Sequence, residues 1–363
     1  MKIPFLTLSD IHLGHDKNST ENIVKNLDKF FLKYKDIIIK VRIIFISGDV
    51  FDKLLSNNNA DYIIAMRWLT KLVKFCSTYS IKLRILEGTP GHDWKQVKVL
   101  YKIIEDLEIE IDFKYFEELD IEIMDDYNIS ILYVPDEWKP TSKEIYKDVL
   151  SKLKLYDLEK VDIAIMHGAF SYQLPDFIEG LLNPDDYLKI VKGPIVIGHV
   201  HNRSMYKRII VPGSFDALNH SDDDETKGGL LITYDNTTSE FNFKYLDNIY
   251  ALKFKTINVV DKTYEELKKI LSKFKKEEVH IRLLVGDDDN MSKNLLELKN
   301  MYPNIHFIIE KKNKKKKIKL KKNVVRIKKN LDNDTMLEYI LEKASIDNIP
   351  HDLIIKEFEK ITT

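Results

Sequence analysis

Cysteine is almost missing from this sequence, whose 363 residues include only one. A single cysteine excludes a disulfide framework and a metal site built from thiolates. Cys76 lies in a helical pattern beside Leu72, Val73 and Phe75. We therefore expect a buried and unreactive thiol at this position.

Net charge is also close to zero, because 57 basic residues are matched by 58 acidic ones. The chain as a whole therefore offers no electrostatic field for nucleic acid, and any such attraction has to be local. No apolar run approaches the roughly 18 residues of a membrane-spanning helix, and the chain begins in a strand pattern without a charged leader. We expect a soluble cytoplasmic protein without membrane contact, with two or three domains of about 150 residues each.

What the sequence does contain is a strand pattern that ends in carboxylates, at residues 41–52 (VRIIFISGDVFD). The β-branched and aromatic residues before Gly48 are typical of a strand buried on both faces of a parallel sheet. Asp49 and Asp52 follow the glycine turn, at the end of the strand where α/β sheets bind their ligands. The alternative interpretation is a turn aspartate that bonds its own backbone.

The same pattern recurs after four further apolar runs, at residues 3–8, 81–86, 161–166 and 194–197. The side chains that follow the five runs are Asp10, His12, Asp49, Asp52, His92, Asp93, His167, His199 and His201. Because ligands collect at the carboxyl ends of parallel strands, we expect these side chains to meet at one edge of a sheet. There they would form a metal site.

Aspartate and histidine ligands without cysteine suit manganese, iron or zinc, and the mixture is too rich in nitrogen for calcium or magnesium alone. The spacings Asp10-x-His12 and His199-x-His201 place both side chains of a pair on the same side of an extended strand end. Two metal ions about 3.5 to 4 Å apart need a bridging carboxylate and can clamp the attacking and leaving oxygens of a phosphoryl group. We expect Asp49, on the central strand, to be that bridge.

The rest of the pattern predicts an α/β protein. Strands alternate with helices at 20–34, 61–79 and 141–153, which indicates parallel βαβ units. Antiparallel strands between 203 and 245 are expected to add a second sheet, and near residue 250 the pattern restarts as a small βαβαβ unit. The predicted segments are a catalytic domain at 1–249, an accessory domain at 250–310, a basic linker at 311–330 and a helical segment at 331–363.

Five motifs, in this order along the chain, resemble those of the calcineurin-like metallophosphoesterases. They are Asp10-x-His12, Gly48-Asp49-x-x-Asp52, Gly88-x-x-x-His92-Asp93, His167-Gly168 and Gly198-His199-x-His201. Within this family the likeness is greatest to the SbcD-type DNA repair nucleases, which work with an SMC-like ATPase. The resemblance covers the chain through residues 212–214 and extends more weakly into the unit after 250. It implies a four-layer αββα sandwich with a small α/β capping domain and a C-terminal helical tail.

The resemblance also implies a role for each side chain of the motifs. Two divalent metal ions would be held by two sets of ligands that share one aspartate, and Mn²⁺ is the metal expected first. The ligands of one ion are Asp10, His12, Asp49 and His201, and those of the other are Asp49, His167 and His199. His92 would contact the scissile phosphate and protonate the leaving oxygen, which suits a side chain that exchanges protons near pH 7. Asp52 and Asp93 would orient histidine side chains.

One position departs from the family pattern. The family has an asparagine ligand immediately before the catalytic histidine, whereas this chain has Gly91 there. A water, the Thr89 hydroxyl or a backbone carbonyl could replace that ligand, and the affinity for the second ion could fall. A weakened or inactive member of the family is therefore an alternative, although loss of activity would more often also remove His92.

Contacts with substrate and partners are expected outside the motifs. His15, in the loop after the first motif, is interpreted as a substrate-edge or solvated residue and not as a ligand. Lys311, Lys312 and Lys314 belong to a lysine run that could bind DNA phosphates, and the alternative is a solvated linker.

The amphipathic helices expected at 331–363 predict a partner groove or coiled coil, which the resemblance identifies with the SMC-like ATPase. The alternative is that they dock on the accessory domain of the same chain. We also expect a homodimer.

The function expected from the sequence is that of a two-metal DNA phosphodiesterase, an exonuclease and endonuclease subunit of a recombination and repair complex. A hydroxide held between the ions would attack phosphorus while His92 acts as the acid. One alternative is a nucleotide phosphodiesterase or phosphatase that uses the same site. The other is an assembly subunit whose catalysis is weakened at Gly91.

Overall fold

The computed structural model describes residues 1–136, 139–174, 180–222, 225–260, 262–275, 278–286 and 294–311. Residues Met1–Lys312 form one compact unit. Lys312, Lys314, nearly all of the predicted basic linker and the whole helical segment lie outside the described residues. The proposed boundary between residues 249 and 250 stays a prediction.

Strands and helices alternate through most of this unit. The strands are β1 (Lys2–Leu8), β2 (Ile43–Ser47), β3 (Lys82–Leu86), β4 (Phe113–Phe116), β5 (Asp120–Met124), β6 (Ile129–Val134), β7 (Ile163–His167), β8 (Ile195–Gly198), β9 (Ser204–Tyr206), β10 (Ile209–Val211), β11 (Gly228–Asp235), β12 (Phe241–Asp247), β13 (Lys253–Asn258), β14 (Val279–Val285) and β15 (Ile305–Lys311). The α-helices are α1 (Thr20–Lys33), α2 (Lys35–Ile38), α3 (Ala60–Thr78), α4 (Pro90–Asp93), α5 (Val99–Asp106), α6 (Ser142–Leu155), α7 (Pro184–Ile190), α8 (Tyr264–Leu271) and α9 (Leu295–Met301).

Two large mixed sheets carry most of the strands. The first has the order β12-β11-β1-β2-β3-β4, in which β1 to β4 are parallel and β11 and β12 are antiparallel additions. The second has the order β5-β6-β7-β8-β10-β9, with β6, β7, β8 and β10 parallel. The carboxyl ends of the parallel strands are therefore available at one end of each sheet.

The alternation of side chains along each strand divides the hydrophobic core into layers. In β1, Ile3 and Phe5 pack in the core shared with the second sheet, while Leu6 and Leu8 pack with helix residues. In β7, Ile165 faces the first sheet, whereas Met166 packs on the helical side. The sheets thus lie face to face, with α1, α3 and α5 covering one and α6 and α7 covering the other.

Local signals explain where the main helices begin. Ser19, Asn59 and Thr141 are N-caps whose side-chain oxygens accept a hydrogen bond from the first turn of α1, α3 and α6 respectively. These three helices confirm the predictions at 20–34, 61–79 and 141–153 to within two residues.

The sheet assignment differs from the expectation in two respects. The five strand ends do not share one sheet, because β1, β2 and β3 lie in the first and β7 and β8 in the second. The antiparallel strands expected in a second sheet are also divided, since β10 pairs in parallel with β8 while β11 and β12 extend the first sheet. Both sheets bury both of their faces, so the apolar runs do not reveal to which sheet a strand belongs.

A third sheet follows after residue 250, with the order β13-β14-β15 and all strands parallel. It has its own hydrophobic core, in which Leu267 of α8 and Leu298 of α9 pack against Ile281 and Leu283 of β14. This arrangement confirms the βαβαβ pattern for the residues that the structure describes. Among those residues, no helix has the length and apolar character needed to cross a bilayer.

A buried ion pair joins the two large sheets. The guanidinium of Arg84, on β3, donates to both carboxylate oxygens of Glu122 on β5, and the Nε–Oε2 and Nη2–Oε1 distances are both 2.9 Å. Arg84 also donates to Asp112, and Tyr133 donates its hydroxyl proton to Glu122. Because both charges are buried, removing Glu122 leaves the Arg84 guanidinium with only the exposed carboxylate of Asp112 as an ionic partner.

We expect Glu122→Leu to lower the free energy of unfolding by about 3 kcal/mol, because the Arg84 cation would lose its main buried partner. Urea denaturation monitored by circular dichroism measures the loss. The double variant Arg84→Met/Glu122→Leu should recover most of the stability, since it removes both charges. A single variant as stable as the wild type would contradict the role assigned to this pair.

The sole cysteine is fully buried in the core of the first sheet and its helices, as the sequence predicts. Burial raises the pKa of the Cys76 thiol well above its usual value, so almost no reactive thiolate forms at neutral pH.

We expect Ellman's reagent to titrate no thiol in the native protein and one in 6 M guanidinium chloride, about the concentration of full denaturation. Rapid reaction of the native protein would show that this core opens readily.

Candidate metal centre

The carboxyl ends of β1, β2, β7 and β8 meet because glycines leave room between the sheets. Gly48 has φ +86°, and a Cβ atom there would lie 2.2 Å from Nδ1 of His167. A Cβ atom on Gly198 would lie 2.1 Å from Oγ of Ser9 and 2.8 Å from Nδ1 of His167. Distances this short exclude a side chain at either position, so the sheets can approach this closely at their carboxyl ends only where both residues are glycine.

The backbone is held in an unusual conformation around these glycines. Left-handed φ values occur at Asp10 (50°), His12 (54°), Asp49 (51°) and His199 (93°), although none of these residues is glycine. Such conformations cost of order 1–3 kcal/mol each and persist where the surrounding structure over-determines them. Strain concentrated at strand ends is typical of a functional site.

Three groups of side chains among the described residues could each hold a metal ion. They are Asp10, His12 and His201; Asp49, His167 and His199; and His12, Asp52 and His92. The predicted ligands from all four strand ends are therefore brought together. Of the predicted site residues, Lys312 and Lys314 lie outside the described part of the chain.

In the first group, two imidazole nitrogens face each other. Nε2 of His12 and Nε2 of His201 are 3.2 Å apart, and Oδ1 of Asp10 is 3.8 Å from the latter. Nδ1 of His12 is 3.1 Å from Oδ1 of Asp52, and because a carboxylate only accepts, Nδ1 carries the proton. The lone pair on Nε2 of His12 is thus directed to the position between the ligands, as metal binding requires.

Burial acts to lower the pKa of His12, but its hydrogen bond to Asp52 and the nearby carboxylates of Asp49 and Asp10 outweigh burial and raise it. The same carboxylates that favour a proton on His12 would favour a metal cation. For His201, burial is the largest effect and lowers the pKa.

In the second group, His167 is completely buried and leaves one nitrogen without a hydrogen bond. Nδ1 donates to the carbonyl of Ser47 at 2.6 Å, which fixes the proton on that nitrogen. Nε2 has no hydrogen-bond partner, although it lies 3.2 Å from Oδ2 of Asp49. A buried imidazole nitrogen 3.2 Å from a carboxylate oxygen is the arrangement expected of two ligands that share one ion.

Asp49 lies between the two groups. Its Oδ2 is 3.2 Å from Nε2 of His167 and 3.7 Å from Nε2 of His12, and its Oδ1 accepts from the amide of Thr89 at 2.6 Å. Burial acts to raise the pKa of Asp49, yet the attraction of His167 and His12 more than reverses this and lowers it. The carboxylate is therefore ionised and in the position of the predicted bridge.

The third group is a hydrogen-bonded chain. Asp52 binds His12 through its carboxylate, and its backbone carbonyl accepts from Nδ1 of His92 at 2.6 Å. Nδ1 of His92 therefore carries a proton, and Nε2 remains for exchange with a ligand. The rings of His92 and His12 are perpendicular, with centroids 5.0 Å apart. This places His92 beside the first group, as expected of a proton donor.

Asp93 has a different environment from the one expected. It is fully buried, and its carboxylate accepts from the backbone amides of Phe51 at 2.9 Å and Gly88 at 2.8 Å. These hydrogen bonds connect the loops after β2 and β3 and do not reach a histidine. Asp93 thus positions the loops that carry Asp49 and His92.

Neither of the two described substrate-binding candidates, His15 and Lys311, belongs to one of the three ligand groups. Nδ1 of His15 accepts from the amides of Lys17 and Asn18, both at 3.2 Å, so this ring holds the loop after β1. Lys311 is exposed at the end of β15 in the third sheet.

One residue at the site was missed by the sequence analysis. Asp136 follows β6, and its Oδ2 is 3.6 Å from Nδ1 of His199 and 3.2 Å from Oγ1 of Thr89. The signal was present, since Asp136 also follows an apolar strand. Pro135 separates it from that strand, and it belongs to none of the five motifs.

Comparison with known proteins gives distant likenesses among solved structures. No protein-family model matches the sequence, and no curated protein matches it at a significant level. Among solved structures, GAP50, described as the anchor in the inner membrane complex of Plasmodium, is 14% identical with a TM-score of 0.39, over 68% of this chain and 85% of that chain. Another crystal structure is 12% identical with a TM-score of 0.39, over 68% of this chain and 100% of that one. At these values neither likeness carries a conclusion about function.

We expect Mn²⁺ to raise the thermal unfolding temperature of the wild type, because an ion at a hundredfold excess over its Kd stabilises the native state by about 2.7 kcal/mol. The chelator EDTA should reverse the rise, as seen by differential scanning calorimetry. Asp49→Ala should abolish it, since the carboxylate at the predicted bridging position would serve both ions. Asp185→Ala, which alters an exposed carboxylate paired with Lys207, serves as the control. A normal response in Asp49→Ala would refute the bridging position.

Proposed function

We propose that this chain is a calcineurin-like metallophosphoesterase that hydrolyses phosphodiester bonds of DNA with two divalent metal ions. Mn²⁺ is the metal proposed for both positions. One observation carries the proposal. The ionised Asp49 carboxylate lies between two sets of ligand atoms, 3.2 Å from His167 and 3.7 Å from His12. The mixed α/β architecture with two facing sheets agrees with the αββα sandwich of that family.

The spacing of the ligand atoms supports metal binding. Atoms that share an ion at about 2.1 Å lie roughly 3 to 3.5 Å from each other. The pair His12–His201 is 3.2 Å apart through Nε2 atoms, and the pair Asp49–His167 is also 3.2 Å apart. Two such ions, when bound, neutralise a phosphoryl group as Lewis acids and make a nucleophile available at neutral pH.

The residues of the chain supply the remaining requirements. Asp10 and Asp49 bring negative charge, and His12, held by Asp52, and His167, held by the Ser47 carbonyl, present fixed lone pairs. His92 holds one proton at Nδ1 for the carbonyl of Asp52, so a second proton at Nε2 can pass to the leaving oxygen. In this scheme His92 acts on the substrate and is not a ligand.

The choice of DNA as the substrate rests on the resemblance of the five motifs to SbcD-type nucleases. The same resemblance supports an SMC-like ATPase as the partner of segment 331–363. A homodimer and a cytoplasmic location belong to this proposal as well.

A nucleotide phosphodiesterase or phosphatase is the second candidate, and a cavity beside the second ligand group favours it. The cavity has a volume of about 490 Å³ and begins at Asp136, His167 and His199. Its other walls are mostly aliphatic. Such a cavity suits a small substrate whose phosphate lies at the cluster while an apolar part is buried.

We expect the wild type to cleave end-labelled DNA in the presence of Mn²⁺ and His92→Ala to be slower by about 10² to 10⁴ fold, because the leaving oxygen loses its acid. Gel electrophoresis measures the cleavage of single- and double-stranded DNA, and bis-p-nitrophenyl phosphate is assayed alongside. His306→Ala is a matched control, because this exposed histidine lies on the third sheet. Its cleavage rate should equal that of the wild type.

Metal content separates the possible outcomes. His92→Ala should bind the same amount of Mn²⁺ as the wild type, because His92 is assigned to the proton and not to an ion. Turnover of the small diester without DNA cleavage would mean that the substrate is a small phosphodiester and not DNA. A wild type that binds Mn²⁺ yet cleaves neither substrate would overturn the proposal of an active phosphodiesterase.

A further inference from the structure

The second ligand group lacks a side chain where the resemblance implies one. Gly91 stands in place of the asparagine ligand, and a Cβ atom built on it would meet no atom within 4 Å. A side chain at this position would enter open space. Any further ligand for this group has to come from another element of the fold.

The end of β6 brings a carboxylate to this group. Oδ2 of Asp136 lies 3.6 Å from Nδ1 of His199, which is longer than a hydrogen bond but close to the separation of two ligands of one ion. Asp136 therefore lies beside one histidine of the group.

The Thr89 hydroxyl lies between the carboxylates of Asp136 and Asp49 and contacts both. Its Oγ1 is 3.2 Å from Oδ2 of Asp136, 3.3 Å from Oδ2 of Asp49 and 3.4 Å from Nδ1 of His199. The amide of the same residue donates to Asp49 at 2.6 Å, which fixes the loop after β3. The hydroxyl thus has a carboxylate on either side and an imidazole beside it.

The backbone makes room for this carboxylate. Gly168, directly after His167, has φ +127°, and a Cβ atom there would lie 2.9 Å from Oδ1 of Asp136. Any other residue would press on the carboxylate and disfavour the backbone angle. The glycine therefore lets Asp136 approach the ligands from the end of the neighbouring strand.

We infer that Asp136, assisted by the Thr89 hydroxyl, completes the second metal-binding group in place of the ligand that Gly91 does not provide. The inference rests on the proposed two-metal function. It replaces a neutral amide ligand with an anionic carboxylate, so the second group contains two carboxylates, Asp49 and Asp136, and two histidines. Added negative charge strengthens the binding of a divalent cation, and the loss at Gly91 is thereby compensated.

Metal binding by the full-length chain tests this inference without any assay of activity. Protein stripped with EDTA is titrated with Mn²⁺ by isothermal calorimetry, and bound metal is counted by mass spectrometry of the eluted protein. The wild type should bind two ions. Asp136→Ala should bind the first ion normally and the second at least tenfold more weakly, since losing even an outer-shell partner of a metal ligand typically costs about 10- to 100-fold in affinity.

The isosteric variant Asp136→Asn tests the contribution of the charge. Its amide oxygen can still accept the hydrogen bond from the Thr89 hydroxyl and can still approach the ion, but it carries no charge. We expect the affinity for the second ion to lie between those of the wild type and Asp136→Ala. Wild-type affinity for the second ion in Asp136→Ala, which removes the donor atom, would mean that the residue is not a ligand, and the inference would be wrong. Asp185→Asn, at an exposed carboxylate, controls for the lost charge.

The outcomes distinguish this inference from the proposed function. A wild type that binds fewer than two ions overturns both. A wild type that binds two ions, together with unchanged second-site affinity in both Asp136 variants, overturns the inference alone. Far-UV circular dichroism confirms that each variant is folded before titration.

Discussion

The close approach of two sheets at their carboxyl ends is the constraint on which the site depends. Gly48 and Gly198 leave no more than the space of a hydrogen atom beside the ring of His167. That contact lets the Ser47 carbonyl of the first sheet accept a hydrogen bond from Nδ1 of His167 on the second. The histidine is therefore fixed in one tautomer by a strand to which it does not belong, and its other nitrogen is left facing Asp49.

Much of this arrangement can be read from the sequence, because apolar runs that stop at glycine, aspartate or histidine identify the strand ends. The pattern does not assign the strands to sheets. His167 and Asp49 both follow fully apolar runs, and in both cases each face of the strand is buried, one against the other sheet and one against helices. A single expected sheet thus became two, although the side chains still met as expected.

The environment of individual carboxylates is harder to predict from the sequence. Asp52 and Asp93 are both the last residue of a motif, yet Asp52 binds an imidazole whereas Asp93 binds two backbone amides. The difference arises from the path of the loops after β2 and β3, which spacing does not specify. Asp136 was missed for a related reason, because its partners, Thr89 and His199, are far from it in the sequence.

The predicted ligands are divided between the sheets, since Asp10, His12 and Asp49 follow strands of the first sheet, whereas His167 ends β7 and His199 and His201 follow β8 of the second. A cation bound by both sets would link the two sheets. A shift of one sheet along the other by a fraction of an ångström would then distort the coordination of that cation. The position of one sheet relative to the other would therefore determine the geometry of the metal centre, and with it the reactivity of the centre. Phe116 of the first sheet stacks on Tyr133 of the second with ring centroids 3.6 Å apart, and such contacts in the shared core hold the two sheets in their relative position.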